Sequence, residues 1–309
     1  MTLQQFEYIV ALEKFRHFTK AAEYCNVTQP TLSAMIQKLE DELEVKIFDR
    51  SQQPIAPTAA GQLVIKQAKE VLVQAEQIKN IVQEQKQEVC GKFTLGVLPT
   101  IAPYLLPRFI SNFTQKYPKL ELRIAELKTH EIKRALPSGD IDAGILADIE
   151  DLEEYNISHL FYEQYMAYVS KSCPLYEKQL VKSSDLQNHQ LWLLDEGHCF
   201  RDQMVKYCQI KSAQQSQMTY SLGSIETFMR MVESGCGVTF IPWMAAHQLS
   251  ECQKDLVRQF AIPIPTRHLV AITNKNFIRH SIMQAIVEEV QASVPKSMHS
   301  LATSQVAVY

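Results

Sequence analysis

The chain has 309 residues, 46% hydrophobic and 21% charged, which fits a globular protein of about two domains and excludes a disordered or fibrous one. A net charge of −3 gives no overall pull toward nucleic acid, and residues 1–58 carry six basic against eight acidic side chains, so any DNA contact must come from placement. No apolar run reaches the roughly 18 residues of a membrane span, MTLQQFEYIV lacks a secretory pattern, and seven scattered cysteines do not form a disulfide framework, so a cytoplasmic chain with reduced thiols is expected.

Residues 1–58 read as short helices. Leu3, Phe6, Ile9, Val10 and Leu12 recur at helical spacing. Thr19 can cap a second helix, TKAAEYC, whose Ala21, Ala22 and Cys25 permit close packing. Asn26 ends it, because Asn tolerates the left-handed conformation of a sharp turn. Thr28 caps a third helix with Pro30 in its first turn, where a missing N–H is harmless. Leu32, Met35, Ile36 and Leu39 form its apolar face. Such a pair suits a helix-turn-helix, whose second helix offers its first residues to base edges. Thr28, Gln29, Pro30, Thr31, Ser33, Gln37 and Lys38 are the candidate DNA-contacting residues, with Arg50 and Lys46 placed beyond the helix for phosphates. A polar, solvated face of a small helical domain is the plainer alternative.

Residues 59–90 carry Val64, Ala68, Val71, Ala75, Ile78 and Val82 in alternating steps of four and three, a heptad seam suited to dimerisation. An amphipathic helix packed on its own domain is the other reading. From Gly91 the period changes. Strand-like runs stand at 93–98, 120–127, 141–147, 166–170, 191–195, 218–222, 237–242 and 268–273, with helical stretches at 103–117 and 224–235 between them. This alternation predicts an α/β domain over 91–300 with mostly parallel sheets, and periodicity leaves open whether it forms one sheet or two lobes. Residues 301–309 are left as a tail, and the stretch after about Val294 is expected to be partly disordered.

The run FEYIVALEKFRHFTKAAEYCNVTQPTLSAMIQKLEDELEVKIFDR, with Thr58 and Gly61 after it, closely resembles the N-terminus of LysR-type transcriptional regulators. The resemblance implies a winged helix-turn-helix, a dimerising linker helix and a periplasmic-binding-protein-like α/β regulatory domain of two Rossmann-like lobes. It implies double-stranded promoter DNA, RNA polymerase and further copies of the chain, in a homotetramer, as partners. One departure stands out. The wing, SQQPIAPTAAG, has few basic residues, which weakens its expected grip on phosphates.

Within GHCFRDQMVKYC, Cys199 and Cys208 lie nine positions apart. His198 alone does not complete a zinc ligand set, so neither metal nor cofactor is expected. Two buried structural thiols are one reading. The other is a reactive pair, since His198, Arg201 and a helix N-terminus just after Cys199 could lower its pKa, and Asp202 could orient a bound peroxide. If 199–208 is helical, the Cα atoms stand about 13 Å apart, whereas a disulfide needs about 5.5 Å. Closing the pair would unwind the helix, a covalent switch.

LLDEGHCFRDQ, KYC, PTIAPYLLP, the Thr129-His130 pair and SIETFMRMVESGCGVTFIP are similar to a peroxide-sensing branch of the same family. That likeness implies Cys199 as the peroxide-reactive cysteine and Cys208 as its resolving partner. Thr100, Thr129, His198 and Asp202 would line the peroxide pocket, with Arg267 only weakly near it. The plainer readings are that Thr100 caps a helix and Thr129 ends a strand. Cys25, Cys90, Cys173, Cys236 and Cys252 are taken as structural. The expected function is a non-enzymatic, peroxide-switched control of oxidative-stress genes. Its rivals are a regulator answering a small anionic effector, a thiol peroxidase and, last, a periplasmic solute-binding protein.

Overall fold

The structure, a computed structural model, describes all residues except Gln52, Glu150, Glu196, 211–223 and Cys236. It divides into two units, Met1–Lys86 with Pro137–Asp140, and Gln87–Leu136 with Ile141–Tyr309.

The first unit opens with α1 (Leu3–Phe15), α2 (Phe18–Tyr24) and α3 (Gln29–Glu42). Thr2 and Gln5 close a capping box at the start of α1, so the first helix is fixed by local chemistry. The second helix starts at Phe18 with His17 as an unbonded N-cap, not at Thr19. The hydroxyl of Thr19 therefore caps nothing. Asn26 does adopt the left-handed conformation, φ 54°, and the Thr28 hydroxyl accepts from the Thr31 N–H as α3 begins. Ile9, Leu12, Ala21, Leu32, Ile36 and Leu39 fill the core of the unit.

Strands β1 (Phe48–Asp49) and β2 (Ala56–Pro57) pair antiparallel as a wing, and α4 (Ala59–Gln85) follows. Gly61 is needed there. A Cβ at that position would sit 1.9 Å from the Ile47 carbonyl oxygen, so only glycine lets the helix start this close to the wing. The apolar stripe of α4 splits in two. Ile65 and Ala68 are buried in the core of their own unit, while Ile78, Ile81 and Val82 are exposed.

The second unit comprises β3 (Gly91–Val97), α5 (Ala102–Lys116), β4 (Leu120–Glu126), α6 (Thr129–Ser138), β5 (Ala143–Ala147) and β6 (Tyr155–Val169). Next come β7 (Leu180–Val181), β8 (Leu191–Trp192), α7 (Cys199–Tyr207), α8 (Ile225–Glu233) and β9 (Val238–Pro242). The chain ends with α9 (Trp243–Ala246), α10 (Glu251–Lys254), β10 (Val257–Phe260), β11 (Ile264–Asn274), α11 (His280–Ala292) and β12 (Gln305–Ala307).

One ten-stranded sheet runs through this unit in the order β4-β3-β5-β11-β6-β10-β7, with β12 beside β11 and β9, itself carrying β8, beside β6. The 15-residue strand β6 joins its two parts, pairing with β11 over Tyr155–Gln164 and with β9 and β10 beyond. Parallel pairing holds for β3 with β4 and β5, as expected, but every partner of β6 is antiparallel. The expected strand at 218–222 lies outside the described residues. After Val294 the expectation of partial disorder fails, because β12 pairs in register with Ile264–Thr266. No helix among the described residues is long and apolar enough to cross a membrane.

A candidate redox site and a candidate DNA-binding face

In the first unit, the start of α3 leaves Thr28, Gln29, Pro30, Thr31 and Lys38 exposed, with Ser33 and Gln37 half-buried. Gln37 donates to Asp41 at 2.6 Å. Arg50 has a second attachment that the sequence did not disclose. The side chain of Glu40 is fully buried and accepts from the Ile47 and Phe48 N–H groups at 2.8 and 3.2 Å. Its second oxygen meets Arg50 at 3.2 Å and Lys46 at 3.5 Å, and the Arg50 guanidinium lies over the Phe18 ring. Both cations expected at phosphates are thus tethered to α3 by one carboxylate, which sets where the wing lies.

In the second unit, Cys199 opens α7 and is buried, and Cys208 caps the far end of the same helix and is buried too; both thiols are free. The helical spacing puts their Cα atoms about 13 Å apart. Cys199 borders a cavity of about 440 Å³, together with Thr129, His130, Lys133, Ile149, Gly197, Asp202, Gln203, Lys206 and Tyr309. Thr129 begins α6 rather than ending a strand. Its hydroxyl is buried without a regular hydrogen bond among the described residues, and it lies beside the Cys199 sulfur, where it favours the thiolate.

The electrostatics differ from the sequence expectation. Burial raises the Cys199 thiol above its ordinary pKa, offset in part by Thr129, the Arg267 guanidinium and the N–H groups of Ala147 and Phe200. His198 does not supply the expected positive charge. Burial and Lys128 hold its imidazole below the usual value, so it is neutral at neutral pH, and it turns to Asp195 at 3.1 Å. Nor does Arg201, which pairs with Asp202 at 3.1 Å. Asp202 borders the cavity as an exposed group.

Arg267 is the cation that matters, and it is fully buried, not remote. Its Nη2 and Nε donate to Glu163 at 2.7 and 3.0 Å, Nη1 donates to the Thr100 hydroxyl at 3.2 Å, and Nη2 donates also to the Thr100 carbonyl at 3.1 Å. Thr100 therefore caps nothing and serves as an anchor for Arg267, and it does not border the cavity. The guanidinium also lies 5.1 Å from the ring centre of Phe200, the neighbour of Cys199. The structure gathers Cys199, Thr129 and Asp202 at one cavity, and Thr100 and His198 are not among its lining residues. A signal for Arg267 and Glu163 existed. Each is a lone charge inside an apolar strand run, TRHLVAIT and FYEQYMAYV, and opposite charges so placed call for each other.

A helix-turn-helix unit followed by an α/β sensing unit defines a transcriptional regulator with a signal-receiving domain. Residues 3–62 match the family described as "Bacterial regulatory helix-turn-helix protein, lysR family", and residues 86–295 match "LysR substrate binding domain". The chain belongs to the LysR family of DNA-binding transcriptional regulators.

It is 36% identical over 248 residues to the "Hydrogen peroxide-inducible genes activator" of Dickeya chrysanthemi, covering 80% of this chain and 81% of that one. The "DNA-binding transcriptional dual regulator OxyR" of Escherichia coli is likewise 36% identical, over 79% of this chain and 80% of that one. Among solved structures, a full-length OxyR variant from Pseudomonas aeruginosa matches with a TM-score of 0.76 at 34% identity, over 94% of this chain and 98% of that one. OxyR from Porphyromonas gingivalis matches at 0.67 and 41%, over 71% of this chain and all of that one.

Proposed function

We propose that this chain is a hydrogen-peroxide sensor that controls transcription of oxidative-stress genes through a Cys199–Cys208 disulfide. The observation that carries the reading is the placement of two free thiols at opposite ends of one helix, the first beside the buried Thr129 hydroxyl at a cavity. Relatives whose names denote peroxide-inducible activators support it.

The chemistry runs in two balanced steps. The Cys199 thiolate attacks one oxygen of peroxide, the O–O bond breaks, and the leaving hydroxide takes up the thiol's proton as water, leaving a sulfenic acid. Thr129 is placed to donate to the departing oxygen, and Arg267 to steady the thiolate. Cys208 then attacks the Cys199 sulfur, the S–O bond breaks, and a second water leaves with the Cys208 proton. Burial pushes the Cys208 thiol up to about 12, so it is a poor nucleophile while α7 is wound. Loss of helix brings the sulfurs together and restores an ordinary thiol in one event.

The chain acts as a switch, not a peroxidase. In the cytoplasm a homotetramer holds promoter DNA through Thr28, Gln29, Pro30, Thr31, Ser33, Gln37, Lys38 and Arg50, and oxidation changes how it engages RNA polymerase. Because the Cys199 pKa is raised, the thiolate fraction grows with pH through the neutral range. Its alkylation rate should rise about tenfold per unit between about pH 6 and pH 8, and a flat profile would contradict a protonated resting thiol.

The decisive test treats reduced protein with a slight excess of hydrogen peroxide and maps disulfides by mass spectrometry within seconds. A Cys199–Cys208 bond is expected, and none in Cys199→Ser. A reduced Cys199 at that dose would end the sensing reading. It would move attention to a small anionic effector, which the cavity's volume and its Lys133 and Lys206 lining favour as the second reading.

A further inference from the structure

Gln203 lies one helical turn beyond Cys199 on α7, on the same face, and is buried. Its amide is committed on both sides. The oxygen accepts from the Tyr165 hydroxyl at 2.5 Å, and the nitrogen donates to the Val308 carbonyl at 2.7 Å. Val308 belongs to the stretch that docks beside β11. Its N–H donates to the Thr266 carbonyl at 3.0 Å, and the Ile264 N–H donates to Ser304 at 2.8 Å. The next residue, Tyr309, borders the Cys199 cavity. The stretch is therefore pinned between the redox helix and the strand that carries Arg267.

That attachment is short. The β12–β11 ladder has three residue pairs, and one of its members is Pro265, which has no N–H to give. Gln203 supplies a further bond from outside the ladder. Cys199 and Cys208 cannot join across a wound α7, so forming the disulfide must unwind part of the helix that carries Gln203 and its bond to Val308.

We propose that Gln203 and segment 304–309 form a clasp that holds α7 wound, and Cys199 in place, while the thiols are reduced. Gln203 is its positioning residue. When the Cys208 sulfur displaces hydroxide from the Cys199 sulfenic acid and water leaves, the clasp opens and the segment comes off β11. The inference rests on the redox reading above, with hydrogen peroxide as the oxidant. It assigns residues outside the cysteine pair to setting how readily the switch closes.

The test is hydrogen exchange on the full-length protein, with disulfide state measured in the same samples. Amides of 305–308 should be protected in the reduced protein and exchange at least about tenfold faster once the disulfide has formed. In peroxide-treated Cys208→Ser, which stops at the sulfenic acid, protection should persist. Gln203→Met should loosen the segment even when reduced, and should close the disulfide several-fold faster after one peroxide dose. Unchanged protection in the disulfide form overturns the clasp, and the wild-type comparison stands even if Gln203→Met folds poorly. If peroxide gives no disulfide but diamide does, the peroxide reading fails and the diamide samples decide the clasp. If neither oxidant closes the pair, the clasp falls with it.

Discussion

Replacing Arg267 by methionine is expected to destabilise the regulatory unit by about 3–5 kcal/mol and to slow the reaction of Cys199 with peroxide by an order of magnitude or more. The stability loss follows from what remains behind. Glu163 is fully buried, and its partners are Arg267 and the Met244 N–H at 2.9 Å, so the variant strands most of a carboxylate's charge in the core. The kinetic loss follows from the raised Cys199 thiol, which the Arg267 guanidinium draws back toward the thiolate. A second variant separates the two effects. Arg267→Met combined with Glu163→Leu removes both charges and should recover most of the stability, since a buried ion pair is often replaceable by apolar groups. It should not recover the rate. Urea titration and stopped-flow oxidation measure the two quantities, and a double variant that regains both would show Arg267 to be structural only.

Glu40→Ala should cost the DNA-binding unit about 2–4 kcal/mol and weaken binding to promoter DNA well beyond that of any single exposed polar residue of α3. The carboxylate's main work is with the Ile47 and Phe48 N–H groups, which would lose their acceptor in the interior. The Arg50 and Lys46 contacts add less, because both cations are partly solvated. Once Glu40 is gone, Arg50 and Lys46 lose the carboxylate that ties them to α3, and Arg50 keeps its lesser contact with the Phe18 ring. Glu40→Gln keeps an acceptor oxygen and should fall between. Thermal unfolding and fluorescence anisotropy with duplex DNA would check both, and wild-type affinity in Glu40→Ala would show that the wing is held by other means.

Local chemistry was legible and long-range pairing was not. Asn26 and Thr28 announced the turn and the third helix because one left-handed residue and one hydroxyl decide those features within four positions. The strands at 93–98 and 120–127 were visible as apolar alternation. Most of β6 was not, because YNISHLFYEQ mixes polar side chains into a strand covered unevenly on its two faces. The same limit applied at the site. Cys199, Thr129 and Asp202 could be picked from one neighbourhood and one likeness, but the Arg267–Glu163 pair spans 104 positions, and its partner Thr100 is 167 away. The segment at 305–308 reads as structureless because much of its order comes from the distant β11 and Gln203. His198 departs from its expected charge for a related reason. Its charge is decided by burial and by Lys128, neither of which its sequence neighbours disclose.

The strand order has a consequence for how the chain is made. In the first part of the sheet β11 sits between β5 and β6, so residues 91–169 emerge from the ribosome without the strand that joins them. They must wait for residues 264–274, nearly a hundred positions later, while the helix-turn-helix needs only contacts within its own first seventy or so residues. The DNA-binding unit should fold early during synthesis and the sensing unit only near its end. A nascent chain stalled before β11 would carry a finished reading head and exposed, unpaired edges on β5 and β6, which is the stage at which a chaperone matters most for this protein.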